Sequence, residues 1–413
     1  MKKVCIVGGG AAGLMAAYAA AKNGNDVLLF EKNEKLGKKI YITGKGRCNI
    51  TNDISPDEFL ENVVRGRKFL TGAVWSFPPK SVMEFFISHG LPLKTERGGR
   101  VFPVSDHASD VTKTLEKACR SVGVQFLLNE KVVCLQTSMS DVDIMPRIVA
   151  VRTEKGKYEC GEAIVCTGGL SYPSTGSTGD GYRFADEAGL RVTDLRPGLC
   201  GIELKGALFK DLQGLSLKNV ALKAKNGKKL IYDGFGEMLF THFGISGPLV
   251  LSLSSLINRL DLKNVILELD LKPALDRQTL DKRILRDFEK YKNRHIDNAM
   301  SDLLPQKMIS AVLAASGISE KKNVNVLTKE ERGKLLNTLK GFPLQPAGLR
   351  DFREAIITSG GVDLSEIDPR TMEAKKVKGL RFCGEVLDAD AFTGGYNLQI
   401  AFLTGYAAGN SIR

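Results

Sequence analysis

Histidine is scarce in this chain: four in 413 residues, at positions 89, 107, 242 and 295, with no spacing that would let two share a metal. The eight cysteines are scattered and never form C-x-x-C, which argues against a thioredoxin-like redox pair and a zinc ribbon. No metal site is expected. Cys5, Cys166 and Cys383 each lie in an apolar strand-like run, where the expected role is that of a small buried hydrophobe. Clean apolar runs are lacking too. Residues 238–258 and 391–412 go without Asp, Glu, Lys or Arg long enough to span a bilayer, but Gly, Ser, Thr and Asn interrupt both. They read as buried backbone near a ligand, with no membrane association. Met1-Lys2-Lys3 imitates the start of a secretory leader, yet no small-residue cleavage site precedes the apolar residues after it, so a cytoplasmic protein is expected.

Acidic residues are also in deficit, 47 against 59 Lys and Arg, a net charge of +12. Residues 272–340 hold 15 basic against 9 acidic groups, and residues 32–68 hold nine against five. Such a field attracts polyanions, although a solvated helical surface is the readier account of the charge taken alone. Hydrophobic content of 43% with 26% charged residues is that of a globular protein, and the length calls for more than one core.

What is abundant is glycine, and its placement is informative. Val4-Cys5-Ile6-Val7 reads as a buried strand, and Gly8, Gly10 and Gly13 follow as G-x-G-x-x-G before an Ala-rich helix. The first glycine permits the tight turn, the second lets backbone approach a pyrophosphate, and the third lets helix pack on strand. The helix start then offers free N–H groups and partial positive charge to the phosphates. Val27–Phe30 reads as a second strand. Glu31 at its end, 18 positions after Gly13, is placed to accept adenosine ribose hydroxyls. This pattern predicts a dinucleotide site.

The chain then runs through a Gly/Lys-rich loop (36–52), helices near 56–63, 79–88 and 110–122, a strand at 124–128 and a meander over 132–160. An apolar strand at 163–167 ends in Gly168-Gly169. Residues 195–271 change to short β runs, 273–340 to helical spacing, and 341–346 read as a linker. Strand character returns at 355–358 and 379–383, and a helix over 397–408 closes the chain. The expected organisation is a discontinuous dinucleotide domain, 1–194 and 342–413, interrupted by an insertion at 195–341 that is β-rich to 271 and helical after it. The C-terminal part separates FAD from NAD. An extended FAD needs an acid for its ribityl hydroxyls, which Glu385 supplies. It also needs a helix start near the flavin pyrimidine edge, where Asn397–Gln399 lie and where a reduced flavin is negative.

Gly44-Lys45-Gly46-Arg47-Cys48-Asn49-Ile50-Thr51-Asn52 resembles the G-x-G-R-C-N-x-T-N signature of the BaiN/RdsA-like flavoprotein family. Gly99–Pro103, Phe240–Pro248, Gly384–Asp388 and Gly394–Gln399 match it as well, so the resemblance covers nearly the whole chain. It implies an α/β fold: a Rossmann-like FAD-binding domain interrupted by an inserted β-barrel and helical domain. It implies an NAD(P)/FAD-dependent oxidoreductase. The family spans reduction of an activated C=C bond in bile-acid-like enones, reduction of uridine in ribosomal RNA, and aminoacetone-type amine oxidation, so it fixes the cofactor better than the reaction. The main expectation is an FAD enzyme that takes hydride transiently from NAD(P)H and reduces an activated C=C bond, in a small molecule or in ribosomal RNA. An amine oxidase, or a flavin-bearing RNA-binding factor without turnover, is the alternative. No stable protein partner is expected.

The cofactor-binding residues are expected to be Gly8, Gly10, Ala12, Gly13, Glu31 and Lys32 at the first turn and Gly46, Arg47 and Asn49 in the signature loop. Thr167 and Gly168 after the apolar strand, and Gly384, Glu385, Gly395, Asn397 and Leu398 near the C-terminus, complete the set. Two residues are candidates for catalysis. Cys48 either donates a proton to a substrate carbon or packs beneath the cofactor. His242, with Gly244 and Gly247 close by, either moves a proton and orients a carbonyl or is structural.

Overall fold

The structure, a computed structural model, describes residues 1–139, 144–206 and 209–413. The chain divides into two compact units: Met1–Pro197 together with Phe352–Arg413, and Gly198–Asp351.

The first unit is built on a five-stranded parallel sheet. Its order is Leu380–Phe382, Glu162–Val165, Lys3–Val7, Asp26–Glu31 and Gln125–Leu128. These strands read as near-continuous apolar runs because both faces are covered. The first helix, Ala11–Lys22, is buried at every residue except Lys22. From Lys3–Val7 the chain builds Asp26–Glu31 and then Gln125–Leu128 on one side, and afterwards crosses to add Glu162–Val165 on the other. The crevice beyond the end of Lys3–Val7 is therefore a topological switch point, where open α/β sheets bind ligands. The meander forms as Val132–Ser138, Arg147–Thr153 and Lys157–Glu159.

The second unit holds a seven-stranded antiparallel sheet whose edge strands are Phe342–Leu344 and Pro346–Leu349. Laid flat, those edges would lie roughly 29 Å apart. Only Gln345 separates them, a reach of about 7 Å, so the sheet must curl into a barrel. The stretch at 341–346, expected to be a linker, is thus two barrel strands. Phe342 and Leu344 point inward, and the former pairs with Leu269. Helices Arg277–Lys290, Gln306–Ser316 and Lys329–Lys340 follow the expected helical spacing.

Among the described residues no helix is long and apolar enough to cross a membrane. Residues 238–258 become a strand end, a hairpin turn and the helix Pro248–Ile257. Most of 391–412 becomes the last helix, Tyr396–Asn410.

Candidate functional site

At the switch point the glycine turn is closed on two sides and open on the third. Gly8 has φ +105°, and a Cβ there would lie 2.5 Å from the Cys166 carbonyl oxygen. A Cβ on Gly13 would lie 1.9 Å from the Gly8 oxygen, whereas one on Gly10 would meet nothing within 4 Å. Gly10 is also the N-cap of the first helix, which has no side-chain cap. Its first N–H groups therefore face open space, a ready anion site. Ala12 is buried behind this turn, against Gly384.

Glu31 ends its strand 7% exposed. One carboxylate oxygen accepts the Gly9 N–H at 2.9 Å, and the other accepts from Asn33 N at 2.8 Å and Nδ2 at 2.6 Å. A carboxylate has about four acceptor positions, so one remains for a ribose hydroxyl while the others hold the turn itself. Lys32 Nζ donates to Thr178 Oγ1 (2.6 Å) and Asp180 Oδ2 (2.7 Å), tying the 173–180 loop to this strand end.

A second helix start is registered against the first. Gly405 and Gly409 of the last helix lie against Ala12 and Ala16 of the first. A Cβ on either glycine would come within 2.3 or 2.2 Å of the Ala12 or Ala16 carbonyl oxygen. The matched order means that the two helices run parallel. Tyr396 precedes Gly405 by nine residues and Ala11 precedes Ala12 by one, so at 1.5 Å per residue the last helix begins about 12 Å further along the axis. Two positive helix ends thus point the same way from one rigid pair. Their stagger fits an extended FAD, with its pyrophosphate at one end and its electron-rich ring edge at the other, separated by a ribityl chain.

The signature loop is seated on that second end. Gly395, the N-cap at φ +94°, would strike the Thr51 carbonyl with any Cβ. Thr51 Oγ1 donates to Gln399 at 2.7 Å, and Asn52 Nδ2 donates to the Gly98 and Gly394 carbonyls at 3.0 and 3.2 Å. Neither Thr51 nor Asn52 was expected at the site, although both close the signature motif. Asn397 spends its amide on Ala391 and Phe392, and Leu398 packs on the core.

Other expected residues are engaged in ways their local sequence does not reveal. Arg47 donates to Asp106 (2.8 Å) and to Glu96, with its guanidinium 4.1 Å above the Phe102 ring. That cage orients it toward the hairpin 93–106. Glu385 accepts from Ser171 Oγ (2.7 Å), Thr358 N (2.9 Å) and Lys39 Nζ (2.6 Å). Lys39 also donates to Ser171 Oγ, so three distant segments meet on one carboxylate. Gly46 lies in a left-handed stretch with Gly44 and Lys45, open above. Gly168 lies against Ser177. The Asn49 Oδ1 and Thr167 Oγ1 atoms are buried without a hydrogen-bond partner, and a bound ligand would satisfy them.

Cys48 is fully buried, and loss of hydration pushes its thiol up to about 12. Its φ of +60° is costly for a non-glycine residue, by about 1–3 kcal/mol. His242 belongs to the other unit, exposed at a hairpin turn with its ring 5.1 Å from that of Phe243. All the remaining expected residues belong to the first unit.

Residues 2–411 match the family described as HI0933-like protein Rossmann domain. A 3-dehydro-bile acid delta(4,6)-reductase of Clostridium scindens is 30% identical over 100% of this chain and 99% of its own. A ribosomal RNA dihydrouridine synthase of Escherichia coli is 30% identical over 98% of this chain and 97% of its own. Among solved structures, a 3-ketosteroid delta1-dehydrogenase from Sterolibacterium denitrificans shares the fold. Its TM-score is 0.55 at 15% identity, covering 100% of this chain and 99% of that one.

Proposed function

The chain belongs to the HI0933-like Rossmann-domain family of FAD-dependent oxidoreductases, and from that premise we propose that it reduces a C=C bond conjugated to a carbonyl, with NAD(P)H as donor. The observation that carries this reading is the pair of full-length relatives at equal identity. One is named for reducing double bonds of a 3-oxo steroid acid and the other for making dihydrouridine. Both substrates present an alkene conjugated to a carbonyl, since uridine C5=C6 is conjugated to C4=O. The common chemistry is therefore hydride delivery to the carbon remote from a carbonyl.

FAD, when bound, supplies the hydride relay between nicotinamide and substrate. The protein's own groups hold it in place. The open end at Gly10 would take the pyrophosphate, and the remaining acceptor position on Glu31 would take the ribose. The Lys39–Ser171–Glu385 cluster would hold the ribityl hydroxyls, and the last helix start would stabilise negative charge at the ring edge. The burial and high pKa of Cys48 favour its packing role.

Anaerobic mixing tests the donor. Bleaching of the flavin by NADPH or NADH supports the reductase. Bleaching by aminoacetone alone, with peroxide formed on re-aeration, replaces it with the amine oxidase.

A further inference from the structure

Two thiols meet at the carboxyl ends of neighbouring strands, beside the glycine turn. Cys166 directly follows Glu162–Val165 and Cys383 directly follows Leu380–Phe382, and these strands pair in parallel with Val165 opposite Phe382. Continuing that register sets Cys166 beside Cys383. Their Sγ atoms lie 3.0 Å apart, with either thiol able to donate to the other. Both cysteines are free, Cys166 at 6% exposure and Cys383 at 0%. The role of a small buried hydrophobe accounts for each one singly and leaves their contact unexplained.

The pair is wired into the turn on one side and into the two helices on the other. A Cβ on Gly8 would strike the Cys166 carbonyl oxygen, and one on Gly13 would lie 3.3 Å from the Cys166 Cβ. The Cys166 N–H donates to the Val7 carbonyl at 2.8 Å, just before that turn. Gly384, next to Cys383, donates its N–H to Thr404 Oγ1 of the last helix at 2.9 Å, and it lies against Ala12 of the first. Neighbouring strands lie about 4.8 Å apart, within the span of roughly 4.4–6.8 Å between Cα atoms that a disulfide bridges. Drawing the sulfurs from 3.0 Å to the bonded distance of about 2.05 Å therefore needs a shift of about 1 Å. That shift falls on the backbone that shapes the turn and the helix pair.

We propose that Cys166 and Cys383 are an oxidation site, a reversible disulfide whose closure loosens FAD. The oxidant is hydrogen peroxide, which a reduced flavin yields when dioxygen takes its two electrons. The Cys166 sulfur attacks one peroxide oxygen, the O–O bond breaks, and the departing hydroxide leaves as water with the thiol proton. The Cys383 sulfur then displaces the hydroxyl of the resulting sulfenic acid, the S–S bond forms, and a second water leaves. Two thiols lose two electrons, and one peroxide becomes two waters. Burial, together with the adjoining Cys383, holds the Cys166 thiol well above its ordinary pKa. Thiolate is therefore scarce and the attack slow, so the site answers to sustained peroxide. It is independent of the substrate that reoxidises the flavin, and so goes beyond the reductase reading.

The holoprotein is incubated with hydrogen peroxide, the excess is destroyed with catalase, and FAD affinity is read from flavin fluorescence on dilution. In a parallel sample the free thiols are alkylated under denaturing conditions and the unreduced digest is mapped by mass spectrometry. The expected result is a linked peptide joining Cys166 to Cys383 and an FAD affinity lowered by about 5- to 30-fold, the worth of a helix-start contact. Dithiothreitol should restore both. Cys383→Ala should bind FAD as the reduced wild type does and lose no affinity on peroxide treatment. A bridge that leaves the affinity unchanged overturns the proposal, and so does recovery of both cysteines as alkylated thiols. A bridge mapped instead to Cys5 and Cys160, whose thiols also share a hydrogen bond, overturns it too. Equal loss of FAD from Cys383→Ala overturns it in favour of damage elsewhere. Should that variant fail to fold, the wild type decides alone: a loss of affinity that dithiothreitol does not reverse is the contrary result.

Discussion

Replacing Gly405 with alanine tests the helix pair that sets the spacing of the site. The new Cβ would lie 2.3 Å from the Ala12 carbonyl oxygen, more than about 1 Å short of ordinary contact. The obstacle is backbone, so the last helix must move as a body. Overpacking of this kind costs about 1–3 kcal/mol, offset by about 1 kcal/mol from removing a glycine inside a helix. The net expectation is a loss of stability of up to about 2 kcal/mol. Shifting the helix start should also weaken FAD by about 1–2 kcal/mol, through the interaction of its dipole and N–H groups with the ring edge. Gly72→Ala is the control, because a Cβ there meets nothing within 4 Å. It should stabilise by about 0.5–1 kcal/mol. Urea unfolding and flavin titration of both proteins decide the matter. If the two substitutions act alike, or if Gly405→Ala binds FAD as the wild type does, the registered helix pair is not what places the cofactor.

Glu31→Ala should weaken FAD by about 1–3 kcal/mol, from lost charge-assisted hydrogen bonds to ribose and a loosened Gly9 turn, as read by flavin titration. Cys48 should resist iodoacetamide at pH 8 in the native protein, and Cys48→Ala should keep flavin turnover. The buried pair Glu162–Arg381 joins neighbouring strands. Burial raises the Glu162 pKa, but Arg381 and Lys2 override it, so the folded value lies below the ordinary 4.5. The pair's contribution is therefore present above pH 4.5 and is lost as pH falls through the folded value. Arg381→Met should cost about 3–5 kcal/mol at neutral pH, and the gap should narrow in acid denaturation curves.

The parts of the molecule legible in its sequence are those governed by neighbours along the chain. The strand–glycine–helix start, the acid ending the second strand and the closing helix all follow from local pattern, and the observed bounds lie within a few residues. Helix Arg67–Ser76 escaped notice because its apolar positions are few and Gly72 interrupts it. The 342–344 strand was hidden by its Gly and Pro neighbours and is held by pairing with 267–269 and by burial of Phe342 and Leu344. At the site, the long-range partners were invisible. Nothing near Arg47 announces Glu96 and Asp106, and nothing near Glu385 announces Lys39, which lies 346 positions away. Thr51 and Asn52 stood inside the recognised motif, but their role as the seat of the last helix depends on a turn at 394–395 that only the fold brings to them.

The oxidative half of the reaction offers the most direct test. The protein is reduced anaerobically with one equivalent of NADPH or NADH and mixed, still without oxygen, with a 3-oxo-Δ4 steroid acid in one arm and a uridine-containing RNA in the other. The expected result is rapid return of the oxidised flavin spectrum in at least one arm, with one equivalent of the saturated product. A flavin that stays reduced in both arms, and is reoxidised only when oxygen is admitted with release of peroxide, would contradict the proposal.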